Sequence, residues 1–275
     1  VFDAVTTSPL LLGDRIYIPV WYADNRPFRP RQKSEVVCLD AKTGAILWRT
    51  ALGSSNLFSA ASAVCDGKDI LYVTSADGNL YGMSADTGAL LWKFTTCMDV
   101  NSSPAVVRLP DGPIVCFGTI FGLYYGINGR TGDKAWVLKL GLNSIYPGAC
   151  GLVDGRMLLF VPNFDRHLYC IDPQAGEILW RFATGKYIAS CPVLTKISGR
   201  PAVVFPSLDN ILYAVDASTG AELWRYQLGD KLWAYDTRGL TLWPSPSCIS
   251  YEGKPLLIVP WYDGNIYAFS DPSQP

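Results

Sequence analysis

The sequence predicts an all-β protein, a β-propeller of about six four-stranded blades on a 44-residue repeat, with the last blade incomplete. Three observations carry that prediction. Trp48, Trp92, Trp136, Trp180 and Trp224 stand at intervals of 44 residues. Gly44, Gly88, Gly132, Gly176 and Gly220 keep the same interval, as do Tyr81, Tyr125, Tyr169 and Tyr213. Each copy also reads as four short β-rich runs between turn residues, with no ten-residue helical period.

The copy at 185–226 shows each element in order. After a Ser/Pro entry comes the first strand, "CPVLTKI", closed by a Gly turn. The second strand, "PAVVFPS", ends at the turn "LDN", and the third, "ILYAVD", ends at Ala-Ser-Thr-Gly. The fourth, "AELWRYQ", carries the tryptophan. The entry recurs at Ala60, Pro104, Gly148 and Pro192, and Pro9 and Pro246 open two further copies. Blade boundaries near 1–52, 53–96, 97–140, 141–184, 185–228 and 229–275 account for the whole chain as one domain. A four-stranded sheet cannot bury both faces alone, and blades stacked around an axis can.

The stretch "DASTGAELWRY" (216–226) returns as "DAKTGAILWRT", "SADTGALLWKF", "NGRTGDKAWVL" and "DPQAGEILWRF". Asp40, Asp172 and Asp216, with Ser84 and Asn128, open the turn between third and fourth strands by bonding backbone two residues on. The glycine supplies a positive φ, and the tryptophan fills the gap to the next blade. Catalysis has no use for five copies of one carboxylate position, so the motif is fold hardware.

These copies resemble the tryptophan-docking repeats of the pyrroloquinoline-quinone (PQQ) propeller family, over all six copies. The resemblance implies the fold. For function it implies either a quinone-dependent alcohol dehydrogenase or a non-catalytic propeller, such as an outer-membrane assembly lipoprotein or a sensory or accessory domain. The enzymes of that family would need PQQ, a calcium site and commonly a disulfide between adjacent cysteines, on eight blades and roughly twice this length. Here no two cysteines are adjacent, no Cys-x-x-Cys-His is present, and Asp99 with Asn143 form the only obvious acid–amide pair. No cofactor is therefore expected outside that alternative. The resemblance implies a periplasmic or exported location, whereas many unpaired cysteines favour a reducing cytosol.

Lys+Arg 23 against Asp+Glu 24 leaves a net charge of −1, which offers no field for nucleic acid or anionic lipid. No apolar run is long enough for a membrane span. The chain reads as a processed protein or part of a larger chain or assembly. The eight cysteines include no Cys-x-x-Cys, and most read as small buried residues. Cys191 and Cys248, on inner strands of consecutive blades, are the one pair to test for a disulfide. The sole histidine, His167, lies in an exposed-looking turn, which disfavours a Ser-His-Asp triad or a histidine metal site.

Function is expected where the repeat is broken. About seven extra residues fall in 21–35 and about ten in 229–243. In an up-and-down blade these loops share one face, and blades six and one adjoin if the ring closes. A larger ring with further blades is the other way of closing it. The seam so predicted gathers Trp21, Tyr22, Arg26, Arg29, Trp233, Tyr235, Asp236, Arg238, Trp243, Trp261 and Tyr262. Asp99, Asn143, Tyr146, Lys186 and Tyr187 lead into the inner strands on the same face. Such aromatics either plug the seam or form a site for a small molecule, a carbohydrate or a protein or peptide partner.

Overall fold

In a computed structural model, residues 7–22, 33–53, 57–229, 245–251 and 254–269 are described, and their regular structure is entirely β-strand. The strands make six antiparallel sheets, each a meander in chain order. The first sheet joins β1 (Leu10–Leu12), β2 (Arg15–Tyr22), β3 (Lys33–Asp40) and β4 (Ile46–Ala51). The second joins β5 (Ala61–Cys65), β6 (Lys68–Ser75), β7 (Asn79–Ser84) and β8 (Leu90–Thr95). The third joins β9 (Ala105–Leu109), β10 (Gly112–Gly118), β11 (Leu123–Asn128) and β12 (Lys134–Lys139). The fourth joins β13 (Ala149–Val153), β14 (Arg156–Pro162), β15 (His167–Asp172) and β16 (Glu177–Ala183). The fifth joins β17 (Val193–Ile197), β18 (Arg200–Ser207), β19 (Ile211–Asp216) and β20 (Glu222–Gln227). Among the described residues the sixth joins β21 (Ser247–Tyr251), β22 (Lys254–Pro260) and β23 (Ile266–Phe269). These are β-propeller blades. The chain forms two compact units, Val1–Ile145 and Tyr146–Pro275, each with three sheets.

Local chemistry sets the turns. Between the first and second strands, Asp66-Gly67, Asp154-Gly155 and Ser198-Gly199 hold both residues at positive φ, as a two-residue type I′ hairpin requires. Asp40 Oδ1 accepts from the backbone N–H of Lys42 (3.1 Å) and Thr43 (2.7 Å), and from the Thr43 hydroxyl (2.8 Å). Asp172 and Asp216 repeat the backbone pattern, with Asn128 doing so through its amide oxygen. The turn role read from the repeat is what the structure shows.

The Thr43 hydroxyl, more than any other group, holds the Asp40 carboxyl below its ordinary value. A depressed folded value stabilises the protein above the unfolded pKa, about 3.9, and that contribution is lost as pH falls through the folded value. Urea midpoints measured from pH 6 to pH 2 should therefore fall less steeply at the acid end for Asp40→Asn than for the parent. Parallel acid limbs would refute that assignment.

The tryptophans sit on a β-bulge absent from the sequence reading. In each of five sheets the third–fourth strand register slips by one beside the tryptophan. Leu47, Leu91, Ala135, Leu179 and Leu223 are the extra residues. Opposite each tryptophan stands a small residue: Cys38, Gly82, Gly126, Cys170 or Ala214. A methyl on Gly82 or Gly126 would collide with the indole of Trp92 or Trp136. Trp48, Trp92 and Trp180 donate Nε1–H to the carbonyls of Ala85, Gly129 and Ala217 of the next sheet, at 3.1–3.3 Å. Within each unit, buried apolar residues of successive sheets form continuous cores.

Candidate functional site

A line of aromatic side chains in unit 146–275 stands at the end of its sheets where second–third-strand turns meet sheet-to-sheet connections. The connection after β16 carries Lys186 and Tyr187, both exposed, and Tyr187 keeps 48% of its surface. Its ring stacks on Phe164, from the β14–β15 turn, at 5.5 Å between centroids and 9° between planes. Phe164 in turn meets Tyr146 at 6.4 Å. The Tyr146 phenol is pushed above its ordinary range by burial first and then by the charges of Tyr262 and Cys191. Tyr262 is raised by burial too, and its ring lies 5.0 Å from that of Trp261.

The backbone under Tyr187 is fixed from several sides. The Thr184 hydroxyl donates to the carbonyls of Arg166 (3.1 Å) and Lys186 (2.6 Å). Ser207 Oγ donates to the carbonyls of Lys186 and Tyr187, and Leu208 N–H donates to the Tyr187 carbonyl at 2.9 Å. Gly185 N–H donates to Asp209 Oδ2 at 2.8 Å. A rigid loop holding out an aromatic ring with a cation beside it loses little conformational entropy when a partner covers it. That suits recognition of an apolar or aromatic surface.

Of the predicted residues, Tyr146, Tyr187 and Tyr262 are gathered here with Lys186, and Phe164 is the member the sequence reading missed. Trp261 is a correction. It is 6% exposed, packs with Leu212, Leu228, Leu257 and Val259, and donates its indole N–H to the Gly229 carbonyl at 3.1 Å, so it joins sheets. Asp99 and Asn143 belong to the other unit. Asp99 is exposed and its carbonyl accepts from Ile120 N–H, while Asn143 is half-buried. Trp21 and Tyr22 end β2, and their side chains lie outside the described residues. Arg26, Arg29, Trp233, Tyr235, Asp236, Arg238 and Trp243 also lie outside them. Among the described residues no three His, Cys, Asp or Glu side chains gather as a metal-holding group. Among them no helix is long and apolar enough to cross a membrane.

Two further expectations are corrected. His167 opens β15, half-buried, with Nδ1 at 3.0 Å from the Asp165 carbonyl, so it is part of the sheet. Cys191 and Cys248 are both free thiols. Cys191 N–H bonds Ser245 Oγ, while Cys248 Sγ lies 3.5 Å from Thr195 Oγ1, so the two cysteines sit at different levels of adjacent strands.

A second repeated device was also missed. Asp77, Asp165, Asp209 and Asp263 each accept from the hydroxyl of the tyrosine four residues on: Tyr81, Tyr169, Tyr213 and Tyr267. Each also caps its own turn by accepting from the N–H two residues on. Through Gly185, Asp209 ties the turn to the connection that carries Tyr187. The third sheet has Phe121 at the corresponding position, 59% exposed.

Comparison with known proteins places these features. The family model described as outer membrane protein assembly factor BamB matches residues 13–145 and 126–241. The BamB of Burkholderia pseudomallei is 27% identical over 184 residues, which cover 63% of this chain and 41% of that protein. The quinoprotein ethanol dehydrogenase of Pseudomonas aeruginosa is 26% identical over 154 residues, covering 48% of this chain and 24% of that one. The chain thus spans less than half the length of these curated relatives. Among solved structures, BamB from Moraxella catarrhalis superposes on 98% of the chain and 71% of its own, with TM-score 0.64 and 21% identity. That likeness is one of fold.

Proposed function

The chain belongs to the PQQ-like repeat family of the outer membrane protein assembly factor BamB, and from that premise we propose that it is a non-catalytic scaffold that docks a protein partner. The docking point is the aromatic end of unit 146–275, with Tyr187 as anchor and Lys186 beside it. The observation that carries this reading is the Tyr187–Phe164 stack, with about half of Tyr187 open to solvent and its backbone held on a hydrogen-bonded loop. Buried catalytic groups are not needed for such work, and Tyr187 presents a large rigid contact with few rotamers to freeze. The relatives' description as outer membrane assembly factors supports an exported, periplasmic setting.

The test is complementation of cells lacking their own BamB, read as the level of folded outer membrane proteins. Tyr187→Ala should lower rescue at least about tenfold in apparent affinity, the scale of a lost aromatic hot spot. Its melting temperature should stay within about 1 °C, because the ring is half exposed. Full rescue by Tyr187→Ala would overturn the reading. So would saturable quenching of tryptophan fluorescence by PQQ with calcium, which would favour the quinoprotein relatives' chemistry.

A further inference from the structure

The turn between the second and third strands of the fourth sheet carries an arginine where the repeat favours glycine. The residues that follow Asp77, Phe121, Asp165, Asp209 and Asp263 are Gly78, Gly122, Arg166, Asn210 and Gly264, at φ 84°, 76°, 73°, 69° and 86°. The fold imposes that left-handed conformation. In four sheets the carbonyl of this residue accepts from the N–H just after the fourth strand, that of Thr96, Leu140, Thr184 or Leu228, at 2.8–2.9 Å. Glycine adopts the conformation freely and asparagine tolerates it, but an arginine side chain gains nothing there. Among the described residues, Arg166 is the one residue at positive φ that is not Gly, Asp, Asn or Ser. A conformational cost kept at one place in a repeat points to a use for the side chain.

Arg166 stands beside the aromatic stack. It is exposed, it shares its turn with Phe164, and the Thr184 hydroxyl that bonds its carbonyl also bonds that of Lys186, the exposed neighbour of Tyr187. Two exposed cations therefore flank an open ring. Among the described residues neither makes an ion pair, whereas Arg15, Arg130, Arg156 and Arg225 each hold a carboxylate. The acids of this turn and the next are engaged within the fold. Asp165 accepts from the Tyr169 hydroxyl and His167 N–H, and Asp209 from Tyr213, Gly185 and Ile211. We propose that the partner docked at Tyr187 presents an acidic stretch of chain, with carboxylates on Arg166 and Lys186 and an apolar side chain on the Tyr187 ring. This rests on the docking reading above and names the chemistry of its partner. Complementary charge around an aromatic anchor sets which partner docks, and the guanidinium fork suits a carboxylate.

The probe is a capped synthetic peptide with phenylalanine between two pairs of glutamates, titrated into the full isotope-labelled chain and followed by backbone amide shifts. Saturable shifts at 163–167 and 184–188 are expected. Affinity should fall at least about tenfold as salt rises from about 50 to about 500 mM. The same peptide with lysines for glutamates should not bind. Arg166→Gly should weaken the acidic peptide about threefold to tenfold yet melt no lower than the parent, because glycine suits the conformation better. A lowered melting temperature would make the arginine part of the sheet and overturn the proposal. So would absence of binding, equal binding of the lysine peptide, or displacement of the acidic peptide by phosphatidylglycerol vesicles. In the rescue assay, loss with Tyr187→Ala but full rescue by Arg166→Gly combined with Lys186→Ala would leave the docking reading standing and remove the acidic partner.

Discussion

Replacing Trp180 with alanine should remove about 3–5 kcal/mol of unfolding free energy, the range for deleting a large aromatic from a packed core. The indole is held on three sides. It faces Cys170 across the strand pair, lies 5.8 Å from the ring of Phe160, and covers Gly220, where an added methyl would come within 2.7 Å of it. Its N–H donates to the Ala217 carbonyl at 3.3 Å. The surroundings cannot close over the gap easily, because Gly220 is held at φ 73° by the turn that Asp216 caps, and the cavity lies between two sheets. Ile178, two residues earlier on the same strand and 42% exposed, is the control, and Ile178→Ala should shift stability by less than about 0.5 kcal/mol. Denaturant unfolding of both variants decides the matter. A Trp180→Ala loss under about 1 kcal/mol would mean that the repeated tryptophan does not carry the packing between sheets.

The contrast between those two residues shows what a sequence reading reaches. The tryptophan and glycine spacing exposed the blade, the four strands and the turn chemistry, because all three are local and repeated five times. The bulge at Leu179 was not legible: it depends on which residue of β16 faces Cys170, and periodicity does not report register. The Asp–Tyr pair was legible in principle, since Asp77, Asp165 and Asp209 precede Tyr81, Tyr169 and Tyr213 by four residues in every case. The tyrosine entered the reading only as a periodic marker, and its hydroxyl was given no partner. Tyr146 and Tyr187 were picked out by their place before the inner strands, but Phe164, which joins them, stands in a turn with no periodic cue. Trp261 misled for a related reason: composition marks an aromatic as unusual for its column and cannot say which way it points.

Asp209 links stability to the candidate site, and Asp209→Ala should cost about 1–3 kcal/mol while weakening partner docking through Tyr187. One carboxylate oxygen, Oδ2, accepts from the Tyr213 hydroxyl and from Gly185 N–H, each at 2.8 Å, and Oδ1 accepts from Ile211 N–H at 3.1 Å. Removing it leaves a part-buried phenol and two backbone donors without their acceptor. The Tyr213 phenol is pushed up to about 12, by burial first and then by the bond to Asp209. A raised folded value favours the neutral phenol in the folded state, so its stabilisation is complete below about pH 10 and is lost as pH rises toward 12. Ultraviolet titration of Asp209→Ala should show one tyrosine ionising earlier than in the parent, which simple loosening of the fold would not single out. The Gly185 bond also sets where Lys186 and Tyr187 begin, so docking should weaken in Asp209→Ala even at temperatures where the variant stays folded. Asp209→Asn, whose amide oxygen can still accept from Gly185 N–H, should restore much of the docking. If alanine and asparagine dock alike while differing in stability, the carboxylate holds the sheet alone and does not position the loop.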